Sequence, residues 1–303
     1  MKVGVIGTGS MGKNHARVYS ALTDACRFVG VYDVDYERAC AVTEEYGGMA
    51  FRSLESFLEQ VDAVSVAVPT PAHYRVGMAC IQRNVHVLME KPITETVRQA
   101  KLLIERARAN NVVLQVGHIE LFNPTVQVLK GLLADEEIIG MEIRRLRPLE
   151  SRMTQVDVIS DSMIHDIYIV YHLLGKNIRR VYAAGRQNDR YTQHASVLLQ
   201  LEDGAVVQLA ASYLTDEKVR TVRVVTKRSI LTADLLNRSI RRSGLTSPYL
   251  SESIDVPEGE PLRSELLHFI QAIRTNQAPG VTGVDGLEAL SLANRIIRKV
   301  TVS

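Results

Sequence analysis

The chain has 303 residues, enough for one large domain or two ordinary ones with a full core. Hydrophobic residues make up 46%, charged residues 23%, and a formal net charge of +2 gives no electrostatic case for a nucleic-acid or membrane partner. Cys26, Cys40 and Cys80 have no metal-ligand spacing and fit free thiols in a reducing compartment, and no apolar run approaches the roughly 18 residues of a membrane span.

The β-branched run Val3, Val5 and Ile6 reads as a buried strand, and Gly7-x-Gly9-x-x-Gly12 follows it without a gap. Residues 13–22 have helical spacing of apolar positions, so strand, glycine turn and helix come in the order this motif needs. Gly7 permits the tight turn, Gly9 lets backbone approach a pyrophosphate beside Ser10 and Met11, and Gly12 lets helix pack on strand. The helix N-terminus then offers unpaired N–H groups to phosphates. With a strand already at the start, no signal peptide is expected, and a cytoplasmic location follows.

A second strand over 28–33 ends in Asp33, where a ribose-binding carboxylate belongs in such a unit. That carboxylate favours NAD over NADP, although Arg38 nearby would suit a 2′-phosphate; the alternative is a strand-capping Asp in a turn. Further strands are predicted over 63–68, 85–89 and 112–117, with helices over 35–45, 72–83 and 97–109. This alternation predicts an α/β, Rossmann-type, doubly wound parallel sheet in a first domain, 1–120.

After Gly117 the texture changes. A helix is predicted over 123–133, with Asn123 as N-cap and Pro124 at the first position. Alternating strands follow over 138–147, 178–184, 195–202, 205–212 and 219–225, two of them joined by Glu202-Asp203-Gly204. A helix around 162–174 and two terminal helices, 261–275 and 285–300, complete an α+β domain, 121–303, with a large open, mostly antiparallel sheet. The polar, Ser-rich stretch 237–259 reads as loops or irregular edge strands.

Three places carry candidate chemistry. The turn Pro69-Thr70-Pro71 with His73 sits at the carboxyl end of a buried strand, where an open sheet lines its ligand crevice; His73 by itself reads as ordinary strand-to-helix punctuation. Glu90-Lys91-Pro92 lies at the same edge, and a Lys beside a cationic nicotinamide is suited to hold a substrate hydroxyl and relay its proton. Asp161, His165 and Tyr168 share one helical face, a carboxylate and an imidazole forming an acid–base pair, with an N-cap Asp and a partly buried His as the alternative. Asp166 points off that face, and no metal site is expected. Arg144, Arg145, Arg147 and Arg152 form a basic cluster that suits phosphates or a solvated strand face equally.

In this combination and order, these pieces resemble the Gfo/Idh/MocA family of sugar oxidoreductases along essentially the whole chain. The resemblance implies that Lys91, Asp161 and His165 are the catalytic set, with His165 as general base, Lys91 holding the reacting hydroxyl and Asp161 orienting substrate. It also implies dimers or tetramers formed through the antiparallel sheet. Within the family, Gly9 to Tyr19, Val116-Gly117-His118-Ile119-Glu120-Leu121-Phe122-Asn123-Pro124 and Ile164-His165-Asp166-Ile167 look like the UDP-N-acetylglucosamine 3-dehydrogenase branch, which oxidises the sugar 3-hydroxyl with NAD. That places His118, Phe122 and Asn123 at the substrate, with Arg147 among the cations for its diphosphate. Tyr168 stands where relatives commonly carry Asp. A free sugar or inositol as substrate, or a non-catalytic NAD sensor, are the competing readings.

Overall fold

Six short strands, β1 (Lys2–Ile6), β2 (Arg27–Tyr32), β3 (Met49–Phe51), β4 (Ala63–Val66), β5 (His86–Glu90) and β6 (Leu114–Gly117), pair in parallel in the order β3-β2-β1-β4-β5-β6. The computed structural model describes residues 1–150, 156–175, 177–188, 190–245 and 251–301. Helices α1 (Ser10–Ala21), α2 (Tyr36–Tyr46), α3 (Leu54–Leu58), α4 (Thr70–Gln82) and α5 (Val97–Ala109) fill the crossovers. Val3, Val5, Val64, Val66, Val87, Met89 and Val116 are fully buried, the apolar runs expected of strands covered on both faces. The strand order reverses between β1 and β4, and ligands of such sheets bind at that switch point. Neither β3 nor α3 was expected from the sequence, because three and five residues are too short to show a period.

The first unit comprises Met1–His118 and Leu262–Leu290. The sequence reading sets one boundary near residue 120, whereas helix α8 (Pro261–Thr275) and the start of α9 (Gly283–Thr301) belong with the parallel sheet. Gln115 donates its side-chain amide to the Glu265 carbonyl, and the Val116 amide donates to the Val281 carbonyl at 3.1 Å. Helical periodicity reports that a face is buried, but not which sheet buries it.

The second unit is built on eight strands: β7 (Ile138–Leu146), β8 (Ile178–Gln187), β9 (Thr192–Leu201), β10 (Val206–Ser212), β11 (Val219–Thr226), β12 (Ser229–Asp234), β13 (Ser239–Gly244) and β14 (Ser251–Ile254). Their order is β14-β13-β12-β11-β7-β10-β9-β8, antiparallel except for β7 beside β10. Of the two readings of 237–259, loops or irregular edge strands, the structure gives edge strands, β13 and β14, regularly paired rather than irregular; at this polar edge side-chain patterning is weak and backbone pairing decides. Helix α6 (Pro124–Leu133) starts as expected, with the Asn123 side chain accepting from the Thr125 amide. The predicted helix at 162–174 is a π turn, Ile159–Met163, running into α7 (Ile164–Leu174).

Candidate active site

The dinucleotide motif is built as its spacing demands. Gly7 has φ +90°, and a Cβ there would stand 2.7 Å from the Ala67 carbonyl oxygen. A Cβ on Gly12 would stand 1.8 Å from the Gly7 carbonyl oxygen, so helix and strand pack at glycine distance. Gly9 is the N-cap of α1 and faces open space, with no side-chain cap and no acidic residue in the first turn. Exposed Ser10 and half-buried Met11 open the helix beside it. Unsatisfied backbone N–H groups and the positive end of the helix dipole therefore face that space, which fits a dinucleotide diphosphate.

Asp33 at the end of β2 accepts from the Thr8 amide at 2.6 Å, the Thr8 hydroxyl at 2.8 Å and the Asp35 amide at 2.9 Å. Burial opposes its ionisation, but these donors hold the carboxyl below its ordinary range. The nearby Arg38 guanidinium is paired with Asp35 at 3.0 Å.

At the next strand ends, Pro69 caps α4, Thr70 begins it, and buried His73 bridges two loops. Its Nδ1 lies 2.8 Å from the Pro92 carbonyl oxygen and its Nε2 2.9 Å from that of Val68. Burial pulls the imidazole down against these two acceptors, so it clips the turn after β4 to the Lys91–Pro92 segment, whose peptide is cis. Lys91 is half-buried, and buried Glu90 beside it lies 3.2 Å from His15 Nε2. Burial works against the Glu90 charge, but His15 holds the carboxyl below its usual range. His118 is buried after β6, and burial, with Lys91 adding repulsion, pushes it down to about 3, so the ring is neutral at physiological pH.

In the second unit, half-buried Asp161 lies in the π turn and half-buried His165 in the first turn of α7. Widened turns of this kind recur at functional sites. Tyr213, at the end of β10, donates its hydroxyl to Asp161 Oδ2 at 2.8 Å and accepts from Ser162 at 3.3 Å. Burial pushes the Tyr213 phenol up, so it stays a donor. Nothing in the local sequence pairs residue 213 with 161; only the sheet does. Tyr168 is buried.

The arginine cluster separates by strand parity. Arg144 faces outward and is exposed, while Arg145 turns in with Met141 and Ile143. Arg145 donates to Glu120 and to Asp166, each at 2.8 Å, and is therefore neither a solvated strand residue nor a free phosphate ligand. Burial opposes its charge, but Asp166 and Glu120 hold it firmly protonated; burial also pushes Asp166 up to about 6, against the pull of Arg145. Arg220 reaches Glu120 at 3.3 Å, and Asn123 donates to the other Glu120 oxygen at 3.2 Å. Half-buried Phe122 sits next to Asn123, Arg147 is ion-paired with Glu150, and Arg152 lies outside the described residues. Arg220, Arg238, Asn123 and Glu120, with Ile119 and Leu235, line a cavity of about 670 Å³ within this unit, which the sequence did not foreshadow.

An open glycine cradle on a helix N-terminus, an ionised Asp at the second strand end and a classically ordered parallel sheet define a dinucleotide-binding oxidoreductase domain. Residues 1–118 match the Gfo/Idh/MocA oxidoreductase family, NAD-binding Rossmann fold, and residues 147–231 match the Gfo/Idh/MocA C-terminal domain. UDP-N-acetylglucosamine 3-dehydrogenase from Acidithiobacillus ferrooxidans is 33% identical over 98% of this chain and 96% of its own length. A solved structure of that enzyme superposes with a TM-score of 0.94, covering 100% of this chain and 98% of the other at 32% identity. An inositol 2-dehydrogenase from Saccharopolyspora erythraea is 26% identical over 99% of this chain and 93% of its own. This chain belongs to the Gfo/Idh/MocA family of NAD-binding oxidoreductases.

Proposed function

We propose that the chain uses NAD to oxidise the 3-hydroxyl of a nucleotide sugar, UDP-N-acetylglucosamine, to a ketone. The supporting observation for the substrate is the whole-length relation to the Acidithiobacillus enzyme; for the cofactor it is the ionised Asp33, which repels a 2′-phosphate while Arg38 is engaged by Asp35. NAD, when bound, accepts the hydride. Gly7, Gly9, Ser10, Met11 and Gly12 would hold its diphosphate, Asp33 its adenosine ribose, and Pro69, Thr70, His73, Glu90 and Lys91 the nicotinamide end. Lys91, Asp161 and His165 are the proposed catalytic set: His165 takes the hydroxyl proton, Lys91 holds the oxygen, and Asp161, fixed by Tyr213, orients the sugar. His118, Phe122, Asn123 and Arg147 are proposed to line the substrate. Asn123, already capping α6 and bonded to Glu120, would do so through neighbours it holds in place.

The test is the appearance of NADH absorbance with UDP-N-acetylglucosamine, myo-inositol and free hexoses, each with NAD and with NADP. Turnover of the nucleotide sugar with NAD, lost in Lys91→Met and His165→Asn, is the expected result. Turnover of inositol alone would keep the chemistry and discard the substrate, and full turnover by the double variant would remove the catalytic assignment.

A further inference from the structure

Behind the β5 edge lies a cluster that the proposed mechanism leaves unexplained. His15 on α1, Glu90 on β5 and Glu265 on α8 are all buried in the first unit, with one nitrogen or carboxyl oxygen of each within 4.8 Å of the others. His15 Nε2 faces Glu90 Oε1 at 3.2 Å. Glu265 is fully buried, and neither carboxyl oxygen has a hydrogen-bond partner. A buried ionised carboxylate without a donor is strongly disfavoured, so the group holds a proton, and its O–H then needs an acceptor. Glu90 is the carboxylate at hand, within 4.8 Å, a separation that one bridging water spans.

We propose that Glu265, carried in from the C-terminal helix α8 as an uncharged acid, is a positioning residue that, with His15, fixes the Glu90 carboxylate behind Lys91. The cluster then sets one carboxylate, Glu90, between the His15 imidazole and one neutral acid. Burial pushes Glu265 well above the ordinary carboxyl range, and the neighbouring Glu90 charge pushes it the same way. The other titratable groups around the trio are Tyr19, His73, His118 and Lys91, with His268 bonded to Gln115, the amide that holds the Glu265 carbonyl. Tyr19 is already paired with Ser65 at 3.0 Å. Glu90 is also crowded from β6, since a Cβ on Gly117 would lie 3.0 Å from its Oε1, so Glu90 has little room to find another orientation. The proposal rests on the catalytic reading of Lys91.

The experiment compares Glu265→Gln, Glu265→Leu and Lys91→Met by kcat and by the pH dependence of Tm, with metal content measured on each purified protein. Glu265→Gln, whose amide replaces the O–H donor, is expected to keep kcat within about twofold. Glu265→Leu is expected to lose about tenfold or more in kcat, because a loosened Glu90 no longer backs Lys91 in place. The Tm of Glu265→Gln should rise relative to the parent as pH increases from 5 to 9, since only the parent must keep Glu265 protonated against the solvent. Equal damage in both Glu265 variants, parallel Tm curves, or a stoichiometric divalent metal lost in Glu265→Gln would each overturn the proposal. If Lys91→Met turns over normally, the catalytic reading of Lys91 fails, while the Tm curves still decide the charge state of Glu265.

Discussion

Two carboxylates in this protein are prepared for opposite tasks by what surrounds them. Asp33 is held by three backbone and hydroxyl donors and kept ionised, while Asp161 accepts the Tyr213 hydroxyl, which fixes its orientation. Replacing Asp33 by Ala removes the repulsion of a 2′-phosphate and the ribose acceptor together; the NAD/NADP ratio of kcat/KM should fall by about 10- to 100-fold, measured by steady-state kinetics with both cofactors. Tyr213→Phe deletes a hydrogen bond to a charged group, worth about 1.5–3 kcal/mol. If Asp161 orients the sugar, the loss appears mainly in kcat for the substrate, with the Kd for NAD, read by fluorescence titration, unchanged. His118 supplies a sign that can be checked in stability. Its folded pKa of about 3 lies below the ordinary 6.5, so the unfolded chain takes up a proton first as pH falls. Stability is therefore lost from pH 6.5 downward, by about 1.4 kcal/mol per pH unit from this group, and urea titrations of His118→Asn should show a flatter acid limb.

At the scale of elements, β7, α7 and the turn before α6 are tied by the buried Glu120–Arg145–Asp166 chain. The chain places α7 and with it His165, one residue from Asp166. Removing this cation, in Arg145→Met, strips buried Asp166 of its ion partner and leaves Glu120 to Arg220 and Asn123, and should cost about 3–5 kcal/mol. The sign with pH follows: without Arg145 the folded state binds protons more readily than the unfolded chain, so the variant recovers stability on acidification from pH 8 to 5, read by thermal melts. The sequence showed Arg144 and Arg145 side by side as a basic patch. Strand parity sends one out and the other in, and the partners waiting inside come from residues 120 and 166, which no local pattern connects to 145.

For the molecule as a whole, the outward face of the eight-stranded sheet carries Tyr182, Leu198 and Val206, all more than 40% exposed, with Tyr182 directly opposite Leu198 on β8 and β9. An apolar stripe on a long open sheet favours association. If the chain associates through this face, Leu198→Arg should lower the sedimentation mass by at least half while leaving the circular dichroism spectrum unchanged. An unchanged mass would move the contact elsewhere. Among the described residues no helix is long and apolar enough to cross a membrane.

Much of the dinucleotide half was legible because its chemistry is local. Gly7, Gly9 and Gly12 are spaced by one tight turn, Asp33 follows the next strand, and parallel strands covered on both faces read as short runs rich in Val and other apolar residues. The Asn123–Pro124 helix start was legible for the same reason, since a cap and its helix are neighbours in sequence. What only the tertiary structure decided are the pairings between distant positions: Tyr213 on Asp161, Arg145 between Glu120 and Asp166, and α8 bringing Glu265 to His15 and Glu90. Local sequence records which faces are apolar and where turns fall. It does not record which buried charge meets which, because that is settled by long-range packing and by the cost of leaving any one of them without a partner.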